Sequence, residues 1–149
     1  MKVLALLLAL TIVHPKPPIE PCEVYQAQER YNFIEENGLA RVRLSCYLST
    51  GNCCADGTMP KEGVCASNRS HLGEDVIVYN DDLVPCMRLE VRDIGGNTLL
   101  QQGKAIDIYR DSMDRAWQLV GEYGEYIWIQ WIPREESKDE ETISENSVE

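Results

Sequence analysis

Gly103-Lys-Ala-Ile-Asp-Ile-Tyr109 is a β-type run interrupted by a single charge, and the way that charge is accommodated decides the fold. Side chains alternate faces along a strand, so Ile106 and Ile108 are predicted to enter a core while Ala105, Asp107 and Tyr109 share the opposite face. Fourteen positions upstream of Asp107, Asp93 lies in Val91-Arg-Asp-Ile-Gly-Gly-Asn97, where a second strand runs into a glycine turn. A carboxyl beside an aromatic ring suits a sugar: the ring stacks on the apolar face of a pyranose, and the carboxyl can protonate a glycosidic oxygen. The plainer alternative makes Asp107 a partly exposed strand residue and Asp93 a turn former, since Asp-x-Gly-Gly is ordinary turn chemistry.

Other strands extend outward from this pair. In Ala40 to Leu48, Ala40, Val42, Leu44, Cys46 and Leu48 alternate with Arg41, Arg43, Ser45 and Tyr47, the pattern of a half-buried strand. Val76 to Tyr79 and Met87 to Val91 read as the next strands, with Asn80-Asp-Asp82 and Pro85 supplying the break. Ser49 to Gly63 is a loop long enough to line a groove. After Tyr109 the period changes. Asp111 or Ser112 caps a predicted helix that places Met113, Ala116, Trp117 and Val120 on a core-facing stripe and ends at Gly121. Glu125 to Ile132 returns to alternation, with Ile127, Ile129 and Trp131 opposed to Tyr126, Trp128 and Gln130.

The 149 residues, 44% of them hydrophobic, suffice for one modest domain. A formal net charge of −11 argues against nucleic acid, whose binding needs a positive face to displace counterions. Residues 134–149 contribute −5 of that charge, through seven acidic and two basic side chains, and read as a disordered acidic tail. At the other end Met1-Lys2 and the apolar run Val3 to Val13 have the pattern of a secretory signal, over residues 1–14, too short to span a bilayer comfortably. Membrane contact is expected only if this leader stays uncleaved. Residues 15–39 form a proline-rich spacer and an N-terminal extension, in which Glu23 to Glu36, a stretch with helical potential, is taken as a linker.

Cys22, Cys46, Cys53, Cys54, Cys65 and Cys86 are even in number, and in an exported chain they predict up to three disulfides of unreadable connectivity. Their spacing, with His71 alone nearby, does not match paired zinc ligands, so no metal and no cofactor are expected. His71 in Ser-His-Leu-Gly reads as a turn residue, which leaves no base for a catalytic thiol.

From about Arg41 to Pro133 the order of motifs resembles the three-aspartate (3D) domain, a small barrel related to rare lipoprotein A, expansins and the catalytic barrel of membrane-bound lytic transglycosylase A. The matching stretches are Leu44-Ser-Cys-Tyr-Leu-Ser-Thr-Gly51, Gly63-Val-Cys-Ala-Ser-Asn68, Leu72-Gly-Glu-Asp-Val-Ile-Val-Tyr79, Val91-Arg-Asp-Ile-Gly-Gly96 and Ala105-Ile-Asp-Ile-Tyr109. The resemblance implies a mainly β fold, a six-stranded double-psi β-barrel over residues 40–133 with one short helix, here stabilised by disulfides. It further implies a monomer acting on peptidoglycan or a related polysaccharide. Asp107 and Asp93 would be the catalytic pair, with Tyr47, Thr50, Asn68 and Tyr109 binding substrate. Where the family's first aspartate is usual this chain has Asn68, which keeps local hydrogen bonding but cannot titrate. A non-catalytic, expansin-like binding module and a structural barrel of a surface or phage assembly are the alternatives.

Overall fold

The computed structural model describes residues 21–134, so the expected leader, the first part of the spacer and the acidic tail beyond Arg134 lie outside the described residues. The chain divides into two units, the first ending at Phe33 and the second starting at Ile34. The expected linker is a helix, α1 (Pro21–Glu36), whose side chains from Tyr25 to Phe33 are exposed. Among the described residues no helix is long and apolar enough to cross a membrane.

The second unit is a closed barrel of six strands: β1 (Ala40–Tyr47), β2 (Val64–Ser67), β3 (Asp75–Tyr79), β4 (Pro85–Ile94), β5 (Ala105–Tyr109) and β6 (Tyr126–Ile132). Around the barrel their order is β1-β5-β2-β4-β3-β6. The β1–β5 and β2–β4 pairs are parallel and the other four antiparallel. Advancing every strand by three places, so that β1 becomes β4 and β2 becomes β5, returns the same pairs with the same sense. This two-fold symmetry of interlocked halves is the double-psi arrangement, and it exists without any repeat in the sequence.

Alternation fills the barrel as the sequence predicts. Val42 and Leu44 from β1, Val76 and Val78 from β3, Leu89 and Val91 from β4, Ile106 and Ile108 from β5, and Ile127 and Ile129 from β6 form one cluster, each at most 4% exposed. Each such side chain contributes roughly 1.5–3 kcal/mol of burial. The outer face of β5 is less open than expected, because Ala105 and Tyr109 are also buried and only Asp107 is half-exposed.

Two helices follow strands of the second half. A single turn that the sequence did not suggest, α2 (Thr98–Gln101), is capped by the Asn97 side chain, which accepts from the Leu100 N–H, and it lies against β5. In α3 (Met113–Tyr123) Ser112 is the N-cap as predicted, but the helix runs through Gly121 and ends at Gly124. Its buried residues are Ala116 and Leu119, with Val120 and Tyr123 beside the core, while Trp117 is 69% and Met113 54% exposed. The core stripe is thus rotated away from the one predicted, and Trp117 is a surface residue.

The disulfide expectation does not hold. Cys46, Cys53, Cys54, Cys65 and Cys86 are all free thiols, and Cys22 lies among residues whose side chains are outside the described set. Strand register explains part of this: Cys46 and Cys65 both register with Ile108, one on each side of β5. Two strand spacings put their Cα atoms about 9–10 Å apart, beyond the reach of a disulfide. Of the adjacent pair, Cys53 is exposed and Cys54 buried.

A charged chain ties the barrel wall to the long loop. Asp75, 9% exposed, accepts from Arg88 at 2.6 Å and from Arg134 at 2.7 Å; Arg134 lies 3.4 Å from Glu90, and Arg92 joins Glu90 to Asp56. Burial alone would push Asp75 up, but the two arginines outweigh it and hold the carboxyl below its ordinary range. Its stabilisation is therefore present above the unfolded-state pKa and is lost as pH falls through the folded one. Replacing Asp75 by Asn should cost about 2 kcal/mol in urea unfolding at pH 7, and the gap to wild type should narrow at pH 3. An equal gap at both values would remove the charge from the account.

The Gly-Gly turn contains one obligatory glycine. A methyl at Gly95 would stand 2.1 Å from Leu100 Cδ1, whereas nothing lies within 4 Å of one at Gly96. Gly95→Ala is expected to destabilise by about 1–3 kcal/mol through overpacking, and Gly96→Ala to leave the thermal midpoint nearly unchanged.

Candidate functional site

Register assembles the site from four segments far apart in sequence. Ser45 on β1 pairs with Asp107 on β5, Asp107 pairs with Ala66 on β2, and Ala66 pairs with Asp93 on β4. The result is one row across four strands, Ser45–Asp107–Ala66–Asp93, centred on the pseudo-two-fold axis. Asp93 reaches this row through a bulge: between the pairs Cys65–Val91 and Ala66–Asp93, β4 contains the extra residue Arg92. Without it Asp93 would take the parity of Val91 and face the core. The two aspartates flank Ala66 with Cα atoms about 10 Å apart, two strand spacings, and the small Ala66 side chain leaves the row between them unobstructed.

Electrostatics distinguish the two carboxyls. Asp93 Oδ1 accepts from the Ala55 N–H at 3.1 Å and the Ile94 N–H at 2.8 Å, so this aspartate fastens the Ser49–Gly63 loop to the barrel. Asp107 is half-buried, and its Oδ1 is fully shielded from solvent with no hydrogen-bond partner among the described residues. Burial pushes the Asp107 carboxyl up, the nearby Ser45 hydroxyl pulls it down, and the charge of Asp93 raises it further. The net displacement is upward, the direction a general acid requires.

Tyr47 and Tyr109 register on adjacent strands, and their rings meet edge to face with centroids 5.5 Å apart. They stand two residues along from Ser45 and Asp107 on the same face of β1 and β5, so the expected carboxyl-and-aromatic platform contains two rings. The Tyr47 hydroxyl is also shielded from solvent, with the Cys54 thiol beside it. Burial pushes its phenol far above the ordinary range, and Cys54 and Asp93 reinforce the shift. Burial likewise raises the thiols of Cys46, Cys54, Cys65 and Cys86, which keeps them protonated and poorly nucleophilic.

The remaining predicted residues serve local structure. Thr50 accepts from Asn52 at 3.1 Å in the loop after β1. Asn68 precedes a 3-10 turn (Arg69–His71), accepts from the Ser70 hydroxyl, and lies close against Gly103. His71 stacks on Trp131 at 3.8 Å and contacts Glu74 at 2.6 Å, while Trp128 lies under Arg41. Among the described residues no cluster of His, Cys, Asp and Glu is placed to hold a metal ion. Sequence reasoning missed Ser45, Cys54 and the bulge at Arg92; Ser45 alone had a signal, its outward parity on β1.

The upward displacement of Asp107 has a consequence for stability. A group with a raised folded-state pKa supports the fold below its unfolded value of about 3.9, and that support is lost as pH rises through the folded pKa. Asp107→Asn should therefore stabilise the protein at pH 7 by about 1 kcal/mol, a rise of several degrees in Tm, with the advantage disappearing at pH 3. Destabilisation at pH 7 would mean that the carboxylate is better accommodated than its surroundings indicate. No protein-family model matches the chain and no curated protein matches it, so the functional reading rests on the residues of this site.

Proposed function

We propose that this protein acts on the polysaccharide of a cell wall, cleaving peptidoglycan glycan strands by lytic transglycosylase chemistry with Asp107 as the single acid and base. The observation that carries the reading is Asp107 Oδ1, a buried carboxyl oxygen with no hydrogen-bond partner among the described residues, on one outward face with Tyr47 and Tyr109. A buried carboxyl oxygen lacking a partner costs stability, and a substrate oxygen would supply that partner. The partly exposed Tyr47 ring, backed edge to face by the buried Tyr109, offers apolar surface to a pyranose beside it.

The chemistry needs one proton moved twice. Protonated Asp107 donates to the glycosidic oxygen as the bond to the anomeric carbon breaks, and the departing sugar keeps that proton as its hydroxyl. The carboxylate then accepts the proton of the C6 hydroxyl on the muramic residue as that oxygen attacks the anomeric carbon, closing a 1,6-anhydro ring and restoring the acid. Asp93, held by two backbone N–H groups, positions the loop, and its negative charge favours both the protonated form of Asp107 and the positive charge that develops on the sugar.

A second reading, a binding module that does not cut, is favoured by Asn68, which is engaged in a local turn where the resembled family has a titratable aspartate. Mass spectrometry of fragments released from purified peptidoglycan by the full chain separates the two. Anhydromuramic ends are expected, reduced about 10²–10⁴-fold in Asp107→Asn. Reducing ends would turn the mechanism to hydrolysis, and intact glycan that still retains folded protein would favour the binding module.

A further inference from the structure

The outward face of β1 continues past Ser45 to Arg43 and Arg41. Beside Asp107 a concavity of about 330 Å³ is lined by Arg43, Ser45, Asn97, Thr98, Leu99 and Ala105. Its lining includes the strand positions next to the acid, since Ser45 registers with Asp107 and Ala105 precedes it by two residues on the same face of β5. Arg43 is the only charged residue of that lining, and its ion pair with Glu125, at 3.1 Å, joins side chains 50% and 60% exposed. So exposed a pair is worth little and is readily exchanged for another anion.

Arg41 stands one alternation further along, about 7 Å away. It makes no ion pair among the described residues and is held over the rings of Tyr126 and Trp128, at 5.7 and 5.9 Å from their centroids. A chain with a net charge of −11 thus presents two arginines, two aromatic rings and a concavity in line with its candidate acid. A neutral sugar offers these guanidinium groups only hydroxyl acceptors, whereas a carboxylate brings the opposite charge and matches the arginine fork.

We propose that this strip is a subsite for a carboxylate-bearing sugar, with Arg43 binding the carboxylate in the concavity beside Asp107 and Arg41, over Tyr126 and Trp128, receiving the next acidic residue of the strand. The inference rests on the glycan reading above and narrows it to an acidic glycan. Its consequence is that strands stripped of their peptides, whose lactyl carboxylates are free, bind better than strands whose carboxylates are masked.

The test compares binding of the full chain to peptide-free glycan strands and to the same strands with their carboxylates converted to amides, by calorimetry at fixed ionic strength. Wild type is expected to bind the free-carboxylate strands about tenfold more tightly. Arg43→Gln should bind both forms at the amide level, Arg43→Lys should recover part of the preference, and Arg41→Gln should lose a smaller part. Arg115→Gln, on the outer surface of α3, should change nothing. Equal affinity of wild type for the two forms would overturn the subsite and leave the glycan reading standing. Equal loss in Arg115→Gln would reduce the preference to general charge attraction and also overturn it. Binding of neither form would overturn both the subsite and the glycan reading.

Discussion

Strand β5 is clamped between β1, which it pairs in parallel, and β2, which it pairs antiparallel, and the rest of the site depends on that clamp. Ile106 and Ile108 are wholly buried, so β5 cannot slide or turn over without exposing both. Asp107 lies between them and has no choice of face. The barrel that hides the isoleucines fixes a carboxyl in a half-buried row, where water is scarce and one oxygen lacks a donor. A charge placed there by packing, against its own solvation, is how a scaffold readies a proton donor.

The pseudo-two-fold axis gives this placement a counterpart. The symmetry that carries β5 onto β2 and β1 onto β4 carries Asp107 onto Ala66 and Ser45 onto Asp93. The two halves share a backbone and differ in side chains. One half supplies the displaced carboxyl; the other supplies a small residue in the corresponding place, together with the second negative charge. Asp75 shows how far environment decides such behaviour. It is also largely buried, yet two arginines reach it and its pKa moves the opposite way from that of Asp107. Asp75 secures the wall at β3, and Asp107 is left without such partners.

Much of the barrel is legible in the chain because period-two alternation survives in β1, β5 and β6, and β3 is a short apolar run bounded by turn residues. Asp107 is legible for the same reason, as a charge in an otherwise apolar run. What alternation cannot convey is pairing. The bulge at Arg92 exists only in relation to β2, so the outward turn of Asp93 had no sequence signature. The cysteines misled for a related reason: their even number suggested bridges, but register separates Cys46 from Cys65 by a whole strand. In α3 the stripe through Trp117 and the stripe through Leu119 and Tyr123 are both plausible, and contact with the barrel selects the second. A buried carboxyl oxygen without a partner, which carries the functional reading, is invisible until the fold surrounds it.

The interlocked topology also governs how the molecule comes into being. Arg43 must find Ala105, 62 positions later, and Ala40 must find Ile129 before the ring is complete. Every half-formed barrel exposes unpaired strand edges, and chains dominated by distant pairings fold slowly. Neither half can therefore mature ahead of the other during synthesis, and β6 has to leave the ribosome before the wall can close. Until then the apolar runs in β1, β3 and β5 are sites for aggregation or chaperone binding. The features that hold Asp107 in place at equilibrium thus impose a vulnerable interval on every newly made chain.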